Sequence, residues 1–91
     1  MPAATASFVI QNRLGLHARA AALFVQTVTP FDADVTVSKE GLNVNGKSIM
    51  GLMMLAAGKG SSIDVEARGP QATEAIEAIR VLVDDKFTER D

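Results

Sequence analysis

The chain has 91 residues, of which 47% are hydrophobic and 22% charged, with a formal net charge of -2 and no cysteine. That length and composition predict one domain spanning residues 1–91. They exclude disulfides and thiolate metal sites, and they argue against disorder and against a nucleic-acid partner, which needs a basic face. One histidine leaves no histidine-rich metal centre. The stretch MPAATASFVI has neither a basic flank nor a long apolar run. It reads as neither signal peptide nor membrane anchor, and the expected location is cytoplasmic.

In chain order, residues 7–11 (SFVIQ) put Phe8 and Ile10 on one face and predict a first strand. Gly15 supplies a turn. Ala18–Val28 then carries Ala21, Phe24, Val25 and Val28 at i, i+3, i+4 and i+7, the stripe of an amphipathic helix that Pro30 stops. Asp34–Lys39 alternates with Val35 and Val37 inward. Glu40 and Gly41 turn the chain into Leu42–Asn45, where Leu42 and Val44 alternate again, so the pair reads as a β-hairpin. Residues 48–55 predict a short helix with Leu52 and Leu55 inward, ended by Gly58 and Gly60. Ser62–Arg68 shows Ile63, Val65 and Ala67 at period two, a fourth strand. Past Gly69 and Pro70, the positions Ala72, Ile76, Ile79, Val83 and Phe87 mark the longest helix, with Pro70 where a missing N–H is tolerated. The order β-α-β-β-α-β-α predicts an α+β open-faced sandwich, a four-stranded antiparallel sheet with three helices on one face.

Residues 41–48, GLNVNGKS, satisfy the phosphate-loop pattern G-x-x-x-x-G-K-[ST] letter for letter, and VLVDD at 81–85 imitates the acidic strand that would complete such a site. Their context argues otherwise. Leu42 and Val44 keep strand period inside the supposed loop, and VLVDD continues the helical stripe from Ala72. A nucleotide-binding enzyme would also need more βαβ units than this length holds.

The stretch NRLGLHAR sets His17 at the mouth of the first helix, two residues before Arg19. Two roles suit a lone histidine there, a surface cap or a nucleophile. For the second, the free N–H groups around residues 18–21 and the helix dipole make an anion site, and Arg19 adds a multidentate phosphate ligand. The dipole also disfavours imidazolium, which leaves the ring nucleophilic. No carboxylate–histidine–serine arrangement is visible, so covalent transfer through the imidazole fits better than hydrolysis. Ser48 reads as the N-cap of the short helix. Leu52 and Leu55 already fill that helix's inward positions, so Met50 and Met53, with Met54, fall outside as adaptable apolar contacts that Ile49 and Leu23 extend. A plain interaction domain using that surface is the alternative without chemistry.

NRLGLHARAAALFV resembles the active-site segment of the HPr family, the histidine-containing phosphocarriers of the bacterial phosphotransferase system. GKSIMGLMMLAAGKGS resembles that family's second signature, and the likeness extends from about Ser7 to Val83. The resemblance implies a cofactor-free carrier rather than an enzyme, acting as a monomer. By it, His17 is phosphorylated on Nδ1, Arg19 contacts the phosphoryl group, and Ser48 is a regulatory serine, the target of an HPr kinase/phosphorylase. The phosphoryl group comes from enzyme I, charged by phosphoenolpyruvate, and goes to EIIA proteins or domains through a docking surface of Leu23, Ile49, Met50 and Met53. Where the sugar-transport branch usually reads HARPA, this chain reads HARAA, with Ala20 at the proline position. HARA and MMLAAGKG are similar to the nitrogen-related branch (NPr), while FDADV and KSIMG suit ordinary HPr, so both sugar uptake and nitrogen-related regulation stay open.

Overall fold

The computed structural model describes residues 2–89. Its elements run β1 (Ala3–Val9), α1 (Ala18–Val28), β2 (Asp34–Lys39), β3 (Leu42–Asn45), α2 (Ile49–Met54), β4 (Ser62–Arg68) and α3 (Ala72–Asp84). The strands form one antiparallel sheet in the order β1-β4-β2-β3. Alternation decides which face is covered. Phe8, Val35, Val37, Ile63, Val65 and Ala67 are all buried and meet the apolar stripes of the helices. On the opposite face Ser7 donates to Asp64, Ser38 donates to Asn43, and Arg68 pairs with Glu66 at 3.1 Å. This is the predicted open-faced sandwich. Among the described residues, no helix is long and apolar enough to cross a membrane.

Several local expectations are corrected. The first strand starts at Ala3 rather than residue 7, because the small residues 3–6 complete a ladder running from Ala3 opposite Arg68 to Val9 opposite Ser62. Cross-strand pairing overrides the weak strand preference of alanine. Val25 is only half-buried, and the wholly buried Ala20 takes the inner position on α1. Leu42 is exposed, since it opens the edge strand β3 beyond the cover of the helices. The short helix ends without help from Gly58 or Gly60: the residue that turns left-handed behind it is Ala56, at φ 50°. Pro70 sits before α3 rather than on its first turn. Gln71 is the N-cap, and Ala72 donates its N–H back to the carbonyl of Gly69 at 3.1 Å. The phosphate-loop pattern falls across β3 and the turn that leads to Ser48, the N-cap of α2, and residues 81–84 lie on α3, so no phosphate-binding loop is formed.

Phe87 departs furthest from the expected helix. It is buried, but α3 stops at Asp84, and Lys86–Thr88 form a left-handed turn with φ of 55°, 53° and 60°. Such a conformation costs about 1–2 kcal/mol for each residue with a Cβ. Burial of the Phe87 ring offsets about 1.5–3 kcal/mol of that. The turn closes through the N–H of Thr88 on the carbonyl of Asp85 (3.1 Å) and that of Glu89 on Lys86 (3.0 Å). Its effect is to reverse the chain after α3.

Two glycines separate conformational strain from steric fit. Gly15 has φ +68°, and a Cβ there would lie 2.5 Å from the carbonyl oxygen of Ala57 and 2.8 Å from Cα of Gly58. Gly41, with Glu40 in a two-residue left-handed hairpin turn, has φ +83° and nothing within 4 Å. Gly41→Ala is therefore expected to lose only about 1–2 kcal/mol. Gly15→Ala should lose clearly more, because backbone must move as well. Chemical denaturation of both variants checks this, and equal losses would contradict the packing at Gly15.

Candidate functional site

The approach to α1 is braced before it reaches His17. Asn12 is buried, donating Nδ2 to the carbonyl of Gly15 at 2.8 Å, while the N–H of Gly15 bonds back to the carbonyl of Asn12 at 3.2 Å. Leu16 then fastens to the α2–β4 connection through its N–H on the Ala57 carbonyl, 2.9 Å. His17 follows as the N-cap of α1 in extended backbone (φ -75°, ψ -179°). Its carbonyl accepts the first helical bond, from Ala21 at 2.8 Å, and its Nδ1 accepts the N–H of Arg19 at 3.3 Å. The imidazole thus occupies the place at the helix start where an anion would meet the open N–H groups. It is partly exposed and borders a shallow groove with Leu14, Leu16, Ala56, Ala57 and Gly58.

The left-handed turn brings two further groups here. The Arg19 guanidinium donates Nη2 to Thr88 Oγ1 at 3.4 Å. Glu89 Oε2 lies 3.4 Å from His17 Nε2 and accepts from Asn12 Nδ2 at 2.6 Å, while Oε1 accepts the N–H of Leu14 at 3.3 Å. A carboxylate therefore does stand at the histidine, although sequence order hides it. The Asn12 amide is the foremost reason that the Glu89 carboxyl stays below its ordinary range. Burial works in the opposite direction, and the Leu14 N–H and His17 add to the lowering.

Of the residues named from the sequence, His17 and Arg19 share one helical turn, and Arg19 is turned toward the C-terminal segment. Ser48 stands at the far end of α2 from the groove, with Oγ accepting the N–H of Gly51 at 3.0 Å as a helix cap. Ile49, Met50, Met53 and Met54 are all exposed, Met50 by 73%, while Leu23 is half-buried on α1. The exposed Leu14 lines the groove beside His17 and was not foreseen. Asn12, Thr88 and Glu89 were also missed. NRLG gave a local hint for Asn12, as an asparagine ahead of a glycine turn, but nothing local links position 89 to position 17. Among the described residues there is no group of three or more histidines, cysteines or carboxylates able to hold a metal ion.

Known proteins resemble this chain over nearly all its length. The family model described as "PTS HPr component phosphorylation site" matches residues 4–85. Phosphocarrier protein HPr of Neisseria meningitidis is 51% identical over 83 residues, covering 91% of this chain and 93% of the relative. The crystal structure of an HPr from Thermoanaerobacter tengcongensis superposes with a TM-score of 0.92 at 42% identity, covering 97% of this chain and 99% of that one. A phosphocarrier protein HPr from Bacillus anthracis gives a TM-score of 0.85 at 43% identity, with coverage of 91% and 99%.

Because its folded carboxyl is held low, Glu89 stabilises the C-terminal attachment fully above its unfolded value, and this contribution is lost as pH falls through the folded value. An acid titration followed by NMR at the Asn12 side-chain amide and the Leu14 N–H should show a shared midpoint below 4.5, the ordinary value for this carboxyl. A midpoint at or above that value would contradict the assigned contacts.

Proposed function

The chain belongs to the HPr family, phosphocarriers of the phosphotransferase system rather than enzymes, and from that premise we propose that His17 is the residue that carries the phosphoryl group, on Nδ1. The observation that supports this most is the position of Nδ1 itself, aimed at the start of α1 with the Arg19 N–H as its partner. A phosphoryl group bonded there would place its oxygens where the imidazole nitrogen now meets the helix. The open N–H groups and the helix dipole would then bind them. Arg19 would leave Thr88 to add its guanidinium, a planar fork suited to phosphate oxygens. Ala20 keeps a backbone N–H in this turn, which proline would remove.

The donor in this reading is phosphorylated enzyme I, charged by phosphoenolpyruvate. The acceptors are EIIA proteins or domains, serving sugar uptake or nitrogen-related regulation. In this reading the carrier acts as a monomer in the cytoplasm, with His17, Arg19 and the helix start all supplied by one chain. Leu23, Ile49, Met50 and Met53 form the docking surface, with Met54 beside them; unbranched methionines adapt to more than one partner. Ser48 is the regulatory serine. A phosphate there, added by an HPr kinase/phosphorylase, would put about -2 charge against that apolar surface and oppose docking.

Histidine is a poorer helix cap than serine, which separates stability from function. His17→Ser should be at least as stable as the parent, by up to about 1 kcal/mol, yet gain no acid-labile phosphoryl group from enzyme I and phosphoenolpyruvate, as read by intact mass. Labelling of that variant equal to the parent's would remove His17 from the role.

Changing Met50 and Met53 together to Gln should leave the melting temperature nearly unaltered while weakening enzyme I binding, measured by calorimetry. A stability loss of ~2–5 kcal/mol, the size seen for core truncations, would instead make them core residues.

A further inference from the structure

We propose that Glu89 is a positioning residue for His17, its carboxylate holding the imidazole with the proton on Nε2 and the lone pair on Nδ1. This rests on the reading of His17 as phosphoryl acceptor and adds to it a group that sequence order does not connect with the site.

Both ring nitrogens have partners, and the partners agree on one tautomer. Nδ1 accepts an N–H from Arg19, so it bears the lone pair. The proton is then on Nε2, and what faces Nε2 is an acceptor, Glu89 Oε2 at 3.4 Å. The carboxylate is itself held in place, by Asn12 Nδ2 at 2.6 Å and by the Leu14 N–H at 3.3 Å. Asn12 is 1% exposed, and its Oδ1 is buried without a hydrogen-bond partner among the described residues. Leaving a buried acceptor unpaired is unfavourable. What the asparagine provides in return is a fork of two donors, one for Gly15 and one for Glu89. The strained turn at Lys86–Thr88 points the same way, since three successive left-handed residues are what return Glu89 to the ring.

The chemistry gives the arrangement a purpose. As phosphorus transfers, the Nδ1 lone pair becomes the P–N bond, and the donor keeps the electron pair of the bond that breaks. The proton remains on Nε2, so the ring becomes formally cationic and Glu89 lies against the charge that has developed. On the onward step the P–N pair returns to Nδ1 and the ring departs as neutral imidazole. Without the Nε2 proton it would have to leave as imidazolate, a far poorer leaving group.

The test uses the whole chain, as parent, Glu89→Ala and Glu89→Gln, labelled with nitrogen-15. Long-range proton–nitrogen spectra at mildly alkaline pH should show a pyridine-like Nδ1 and a pyrrole-like Nε2 in the parent. In Glu89→Ala the two shifts should move toward each other as tautomers mix. Glu89→Gln, whose amide oxygen still accepts the Nε2 proton, should stay near the parent. After charging with enzyme I and phosphoenolpyruvate, onward transfer from Glu89→Ala to an EIIA protein should be slowed about tenfold, with Glu89→Gln in between. Parent-like nitrogen shifts and transfer in Glu89→Ala, or mixed tautomers in the parent, would overturn the proposal. If the parent itself accepted no phosphoryl group, the reading of His17 would be the one to fall. The nitrogen spectra of the uncharged proteins would still decide whether Glu89 sets the tautomer.

Discussion

The N–H groups that open α1 need an acceptor, and the protein supplies an imidazole nitrogen for one of them. By helix geometry the groups of Ala18, Arg19 and Ala20 precede the first internal bond, which joins Ala21 to the His17 carbonyl. Elsewhere the chain meets the same requirement with a better group, as Ser48 Oγ caps α2 at 3.0 Å. His17 Nδ1 does so more loosely, at 3.3 Å. A weak cap at a helix start is a poor choice for stability alone. It suits the proposed role, in which a phosphoryl oxygen would replace the nitrogen as acceptor, and a family of phosphocarriers is where the chain belongs.

The rest of the fold holds that contact in place. The covered face of the sheet seats α1 and α3 side by side, with Phe24 and Ile79 among the wholly buried side chains. The left-handed Gly15 lets the chain pass against Ala57, so the histidine turn leans on the connection that follows α2. One result is that the groove at His17 is lined by Ala56 and Ala57, which follow the end of α2. Another is that α3 ends near enough for Thr88 to reach Arg19 and Glu89 to reach His17 once the chain reverses. Burial of Phe87 offsets part of what that reversal costs, because each left-handed residue is unfavourable.

Much of this is legible in the sequence wherever the signal is periodic. The alternation at Val35 and Val37, the Glu40–Gly41 turn and the stripe on α1 identify their elements, and β2, β3, β4 and α1 have the expected bounds. His17 and Arg19 stand out because they are adjacent to a helix start in the chain itself. The failures share a cause. Residues 3–6 have little strand preference and become strand only by pairing with β4. Phe87 keeps helical spacing, yet its burial is achieved through a left-handed turn that no pattern signals. The contact between Glu89 and His17 spans most of the chain and depends on that turn, so periodicity carries no trace of it.

The phosphoryl site comes down to one nitrogen atom. Charging nitrogen-15-labelled protein with enzyme I and phosphoenolpyruvate, then measuring one-bond coupling between phosphorus and the imidazole nitrogens, identifies that atom. Coupling to Nδ1 of His17 is expected, together with loss of the present Arg19 N–H contact to that atom. Coupling to Nε2, or a phosphoryl group on any other residue, would contradict the assignment to Nδ1.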